Sequence, residues 1–146
     1  MIYRELVKED LPLYLELLKE LDADHTLTIE QAESMLLTIQ TYPFYKVYFA
    51  LKNDVVVGTF SLIICDNFGH GGQKFAILEN VVVHPTHVRT GIGREMMQEA
   101  VHLSAEKGSY KLMLSSNEIR EEAHAFYDSL GFKRHGVSFV TEVGAS

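Results

Sequence analysis

The run from Phe75 to Val83 is almost continuously apolar, interrupted only by Glu79 and Asn80. A stretch of that length and composition predicts a central strand covered on both faces, so the chain must build layers above and below it. His84-Pro85 ends the run, and a loop carrying Gly91-Ile92-Gly93 opens the clearest helical pattern in the chain, Gly91–Lys107. There Ile92, Met96, Ala100 and Leu103 share one face, Arg94, Gln98, Glu99, His102 and Glu106 lie away from it, and Gly108 is a suitable stop. A buried strand feeding an amphipathic helix commits the chain to a sheet with helices packed on it.

The remaining segments extend that plan. Residues 2–6 predict a first strand, and Asp10–Leu21 a helix with Leu11, Leu15, Leu18 and Leu21 at helical spacing. A second helix is expected over 28–41, opened by the capping box Thr28-Ile29-Glu30-Gln31. Val47, Phe49 and Leu51 alternate as a strand, Asn53-Asp54 turns the chain, and Val55–Cys65 returns. Asp66–Gln73, with Gly69, Gly71 and Gly72, reads as a loop. Beyond the central helix come a short strand at Tyr110–Leu114 and a helix over Glu118–Leu130, with Ala123, Phe126, Tyr127 and Leu130 inward. Final strands are expected at Phe132–Lys133 and Val137–Val143. The order describes a mixed α/β sheet.

Composition narrows the function. The chain has 146 residues, 47% apolar and 23% charged, which suits one ordinary domain over 1–146. Its formal net charge of −7 argues against a nucleic-acid partner. No apolar stretch approaches the roughly 20 residues of a membrane span, so no membrane partner is expected. The opening Met1-Ile2-Tyr3-Arg4-Glu5 does not read as a signal peptide. The single cysteine, Cys65, forms no intrachain disulfide and is expected in the core, which points to a reduced, cytoplasmic setting.

The loop between the central strand and its helix carries the chemistry. A helix N-terminus offers unpaired N–H groups and the positive end of a dipole, and glycine lets a phosphate approach the backbone closely. Arg89 and Arg94 add charge, so Arg89, Thr90, Gly91, Ile92, Gly93 and Arg94 form a candidate site for a phosphate-bearing ligand. A dinucleotide fingerprint would require a third glycine where Met96 stands, and a Walker loop would require Gly-Lys-Ser/Thr. His84 and His87 lack a further ligand nearby, so no metal site is expected. No Gly-x-Ser-x-Gly elbow supports a serine hydrolase. Within its own helix, Tyr127 reads as an inward aromatic with its hydroxyl at the edge.

Taken together, His84-Pro85, Gly91-Ile92-Gly93 and Ala123…Tyr127…Gly131-Phe132 stand in the order found in the GNAT superfamily of acetyl-CoA-dependent N-acetyltransferases, which the chain resembles from Tyr3 to Val140. Leu78–Val83 and Ser109–Leu114 look locally like the glucosamine-phosphate N-acetyltransferase branch, which has an acidic residue at the Glu79 position. The resemblance implies an α/β (α+β) fold with a mostly antiparallel mixed sheet splayed between its fourth and fifth strands and flanked by about four helices. It implies acetyl-CoA as co-substrate, a small-molecule amine as acceptor (an amino sugar on the local likeness), no metal, and room for a homodimer. Val81, Val82 and Val83 would flank the pantetheine arm, and residues 89–94 would hold the pyrophosphate. Tyr127 would act as general acid, and Glu79 either as base or as a carboxylate that only orients substrate. Val88 stands at the family's usual Arg/Gln position, and Arg89 where a glycine usually follows. Arg120 stands seven residues before Tyr127, where many members have asparagine, and either meets a CoA phosphate or caps a solvated face. A non-catalytic acetyl-CoA-binding or sensory module of the same fold is the alternative.

Overall fold

The strands and helices expected up to residue 114 form close to where the apolar pattern placed them. The structure is a computed structural model and describes residues 1–144, which divide into two units, Met1–Leu114 and Ser115 onward. The first unit contains β1 (Ile2–Glu5), α1 (Leu11–Leu18), α2 (Ile29–Gln40), β2 (Tyr45–Lys52), β3 (Val55–Cys65), β4 (Lys74–Val83), α3 (Ile92–Glu106) and β5 (Ser109–Met113). Its five strands lie in the order β1-β2-β3-β4-β5. Every pairing is antiparallel except β4 with β5, which is parallel.

Local chemistry sets the boundaries. The Thr28 side chain accepts the Gln31 N–H at 3.2 Å while the Gln31 side chain accepts the Thr28 N–H at 2.9 Å, closing the expected capping box of α2. Asn53 and Asp54, at φ +51° and +63°, make the tight turn from β2 to β3. On one side of the sheet Leu6, Leu11, Tyr14, Leu17, Ala32, Val47, Phe49 and Val82 form a core beneath α1 and α2. α3 contributes the buried Ile92, Met96, Met97 and Ala100. It packs so tightly on β3 that a Cβ at Gly58 would lie 2.5 Å from Met96 Sδ and 2.9 Å from the Val82 carbonyl oxygen. Any larger residue there would force the helix, or the end of β4, to move.

Two features of β4 shape everything that follows. Thr59 pairs with Val82 and Ser61 with Glu79, so one β3 residue, Phe60, faces two on β4, Asn80 and Val81. This is a β-bulge, and Asn80 takes the left-handed conformation it requires, at φ +51°. Glu79 and Val82, three positions apart, are thereby brought to the same face. The second feature is the early end of the β4–β5 ladder. The last pair is Ile77 with Met113, whereas β3 follows β4 as far as Val83. Among the described residues, 78–83 therefore have no strand partner on their β5 side, which is the expected splay between the fourth and fifth strands.

Among the described residues the second unit holds one regular element, α4 (Glu121–Ser129). It begins about a turn later than the apolar spacing predicts, because Asn117 Oδ1 takes the Ile119 N–H at 3.1 Å and the Asn117 carbonyl takes the Arg120 N–H at 3.0 Å. That local turn competes with helix. The expected strands at Phe132–Lys133 and Val137–Val143 do not form among the described residues. A strand needs a neighbour for its N–H and C=O groups, and among its described residues this unit contains no second strand. Val137, Phe139, Val140 and Val143 are accordingly 79–98% exposed.

Candidate functional site

β4 runs out of the sheet at Val83, and His84 still donates its N–H to the Val57 carbonyl at 2.8 Å. Pro85–His87 then form a single 3-10 turn. The His84 and His87 Nδ1 atoms both contact the Thr86 hydroxyl, at 2.8 and 2.9 Å, so these two histidines are engaged in shaping the loop. The Thr90 hydroxyl donates to the His87 carbonyl, closing the turn before the helix. Among the described residues no group of three or more His, Cys, Asp and Glu side chains is placed to hold a metal ion.

α3 starts at Gly91, whose φ of +85° is a left-handed value and whose lack of a side chain leaves the first turn without a side-chain cap. A Cβ at Gly91 would meet nothing within 4 Å, so the space above it is open. The N–H groups of the first turn and the dipole of a fifteen-residue helix face that space. Arg89 is also left-handed, at φ +61°, a conformation that glycine would adopt at lower cost. Arg89, Thr90, Gly91 and Arg94 are exposed and Ile92 is buried as the first anchor of the helix on the sheet. The arrangement can bind a polyanion through main-chain donors, with two guanidinium groups close by in sequence.

Upstream on the same strand, Val81 and Val83 are half-buried, Val82 is buried in the core, and Glu79 is exposed. Glu79 shares its sheet face with Tyr45 and Ser61, neither of which the apolar spacing marked as functional. The Tyr45 hydroxyl is pushed above its ordinary pKa first by burial and then by the Glu79 charge. Tyr45 also lines a cavity of about 260 Å³ with Leu36, Ile39, Tyr42, Phe44 and Val47. The alternation of Val47, Phe49 and Leu51 did not reach Tyr45, and the Glu79 charge acts on it across the width of β3. Cys65, expected in the core, ends β3 half-buried as a free thiol.

In the second unit Tyr127 lies on α4, half-buried, with Phe126 and Phe132 edge-on to its ring at centroid distances of 5.2 and 5.7 Å. Burial raises its pKa, and the Arg120 charge pulls the other way without reversing the shift. The hydroxyl therefore keeps its proton throughout the neutral range, as a general acid must. Arg120 is the N-cap residue of α4, so its effect on Tyr127 reaches along two turns of one helix. Gly131, at φ +84°, ends the helix, and Phe132 donates its N–H back to the Tyr127 carbonyl at 3.2 Å.

Residues 8–132 match the family model described as Acetyltransferase (GNAT) family. The chain is 32% identical over 133 residues to the glucosamine 6-phosphate N-acetyltransferase of Trypanosoma brucei brucei, covering 90% of this chain and 88% of that protein. It is 31% identical over 87 residues to the enzyme of that name from Schizosaccharomyces pombe, covering 60% of this chain and 76% of that protein. A solved structure from Agrobacterium tumefaciens str. C58 superposes with a TM-score of 0.90 at 28% identity, covering 98% of this chain and 100% of that one. The family match spans β4, its bulge, the Gly91 helix start and the α4 tyrosine alike, and the chain belongs to the GNAT family of acetyltransferases.

Proposed function

We propose that this protein, working as one domain over 1–146, transfers the acetyl group of acetyl-CoA to the primary amine of a small molecule, with an amino sugar phosphate as the first candidate acceptor. The observation that carries the reading is the course of β4. The strand parts from β5 after Ile77 and leads into the open N-terminus of α3, so an extended acyl carrier has a strand edge for its arm and a donor-lined turn for its pyrophosphate. The trypanosomal relative's name supplies the acceptor class. A cytoplasmic setting, where a lone thiol stays reduced, belongs to the same proposal.

The chemistry follows from the roles these groups can fill. Residues 89–94 hold the pyrophosphate, with Arg120 as a further phosphate partner. A main-chain N–H within 81–83 donates to the thioester carbonyl and stabilises the oxyanion as the amine attacks. Glu79 removes a proton from the ammonium form of the acceptor, directly or through water, and Tyr127 protonates the departing thiolate. Attack is direct, within a ternary complex, so no acetylated side chain forms.

Glu79→Gln tests this assignment. A protonated amine has no lone pair to attack with, so the base governs the acidic limb of the rate profile. Turnover should fall by roughly 10²-fold in the neutral range, most steeply at low pH, with acetyl-CoA affinity nearly unchanged. A wild-type rate and pH profile in the folded variant would leave Glu79 with an orienting role only.

A further inference from the structure

Among the described residues, Thr59, Ser61 and Ser104 are the buried serines and threonines. Two of them meet the need of a buried hydroxyl by donating to a carbonyl, Thr59 Oγ1 to Tyr48 at 2.8 Å and Ser104 Oγ to Ala100 at 2.7 Å. Ser61 Oγ is shut off from solvent with no hydrogen bond to any described residue. Burial raises the Tyr14 pKa and the Ser61 hydroxyl draws it partly back, yet no aligned hydrogen bond joins the two. A hydroxyl left in that state lowers stability, and alanine would fill the place at less cost. Groups kept against such a penalty belong where function uses them.

The place of Ser61 in the sheet says what it can serve. It stands directly across from Val47 on β2 and from Glu79 on β4. Of those two side chains, the Glu79 carboxylate is the one that can accept a hydrogen bond. Side chains directly opposite in an antiparallel ladder share a face, with Cβ atoms about 4.5–5.5 Å apart. The β4 bulge sets this pairing, because with Asn80 and Val81 both across from Phe60, Glu79 falls opposite Ser61. On its other side Glu79 meets no β5 partner among the described residues, since that ladder ends at Ile77. The carboxylate therefore stands between the splay and one buried hydroxyl. From this pairing of an unpartnered hydroxyl with the carboxylate at the splay, we infer that Ser61 is a positioning residue for acetyl transfer, donating to one Glu79 oxygen as the acceptor binds and leaving the other turned towards the ammonium. The inference rests on the reading of Glu79 as the base. Ser61 keeps its proton and touches no reacting atom; the proton of the amine goes to the free Glu79 oxygen. Hydrogen bonds of this kind are often long in the unliganded enzyme and close only in the reacting complex.

The experiment combines thermal melts with steady-state kinetics on acetyl-CoA and glucosamine 6-phosphate. Ser61→Ala removes a buried hydroxyl that has no partner to lose, so its melting temperature should equal or exceed that of the wild type. Its kcat should fall about tenfold, with the KM for acetyl-CoA within about twofold of wild type. Ser61→Cys fills nearly the same space with a weak donor and should be slowed likewise. A serine of purely structural value would show the reverse, a lower melting temperature and an unchanged kcat. Because Ser61 acts through Glu79, the Ser61→Ala/Glu79→Gln double variant should be no slower than Glu79→Gln alone. Wild-type kcat in Ser61→Ala and Ser61→Cys, or single effects that multiply in the double variant, would overturn the inference while leaving Glu79 its role as base. Glu79→Gln turning over at the wild-type rate removes that role and the inference with it. A wild type inactive with glucosamine 6-phosphate removes the amino sugar phosphate reading on which both stand.

Discussion

Gly93→Asp should fold at least as well as the wild type and lose acetyl-CoA. The position is in the first turn of α3, where an acidic side chain complements the helix dipole and where glycine is the weaker helix former. Stability should therefore be unchanged or higher by a few tenths of a kcal/mol. The same carboxylate would project into the space that a pyrophosphate needs and would repel it, while also drawing on the N–H groups that should bind it. We expect the dissociation constant to rise by about 100-fold or more, roughly 2.8 kcal/mol. The rise in melting temperature that acetyl-CoA gives the wild type by mass action should vanish at the same ligand concentration. Wild-type affinity in the folded variant would move the pyrophosphate away from residues 89–94.

Tyr127→Phe should lower kcat at least tenfold, about 1.4 kcal/mol of barrier, with acetyl-CoA affinity within a few-fold of wild type. Phenylalanine retains the edge-on contacts with Phe126 and Phe132, so the change removes a proton donor and little packing. The effect should be moderate, since a thiol with a reference pKa near about 8.5 leaves tolerably well as its thiolate. Because burial holds the Tyr127 pKa above its ordinary value of 10.0, the acid is protonated below that pH and lost only above it. The alkaline limb assigned to Tyr127 should therefore lie above the ordinary tyrosine range and be absent from the phenylalanine variant. Wild-type turnover in that variant, with chemistry rate-limiting, would reduce Tyr127 to a packing residue.

The parts of the molecule that depend on local pattern were legible. Phe75–Val83 reads as β4 because nearly every residue in it is apolar, and Gly91 reads as the start of α3 because no other residue accepts φ +85° so readily. The Thr28–Gln31 box announced α2 within a residue. What escaped depends on contacts distant in sequence. Counting leucines along α1 favours Leu15, Leu18 and Leu21, yet Tyr14 and Leu17 are the more buried, and Leu21 lies beyond the helix end with 38% of its surface exposed. The Glu79-Asn80 interruption was visible in the sequence, but the bulge was not: it is defined by register against Ser61 and Thr59. The apolar residues of 137–143 resemble a strand in isolation, and a strand cannot form in isolation. For the site, the proposal of a phosphate loop came from glycine and helix chemistry alone. The roles proposed for Glu79, Tyr127 and Arg120 came through family likeness, since nothing local distinguishes a catalytic carboxylate from a solvated one.

Acetyl transfer to an amine is measured most directly by thiol release from acetyl-CoA. The wild-type protein would be offered glucosamine 6-phosphate, other amino sugars, amino acids, polyamines and aminoglycosides, with mass spectrometry of each product. The account predicts release of CoA that depends on the amine, fastest with a phosphorylated amino sugar, with one acetyl group gained on the amine nitrogen. Acetyl-CoA binding without amine-dependent release across that range would contradict it, and would make the chain a binding module built on an acetyltransferase fold.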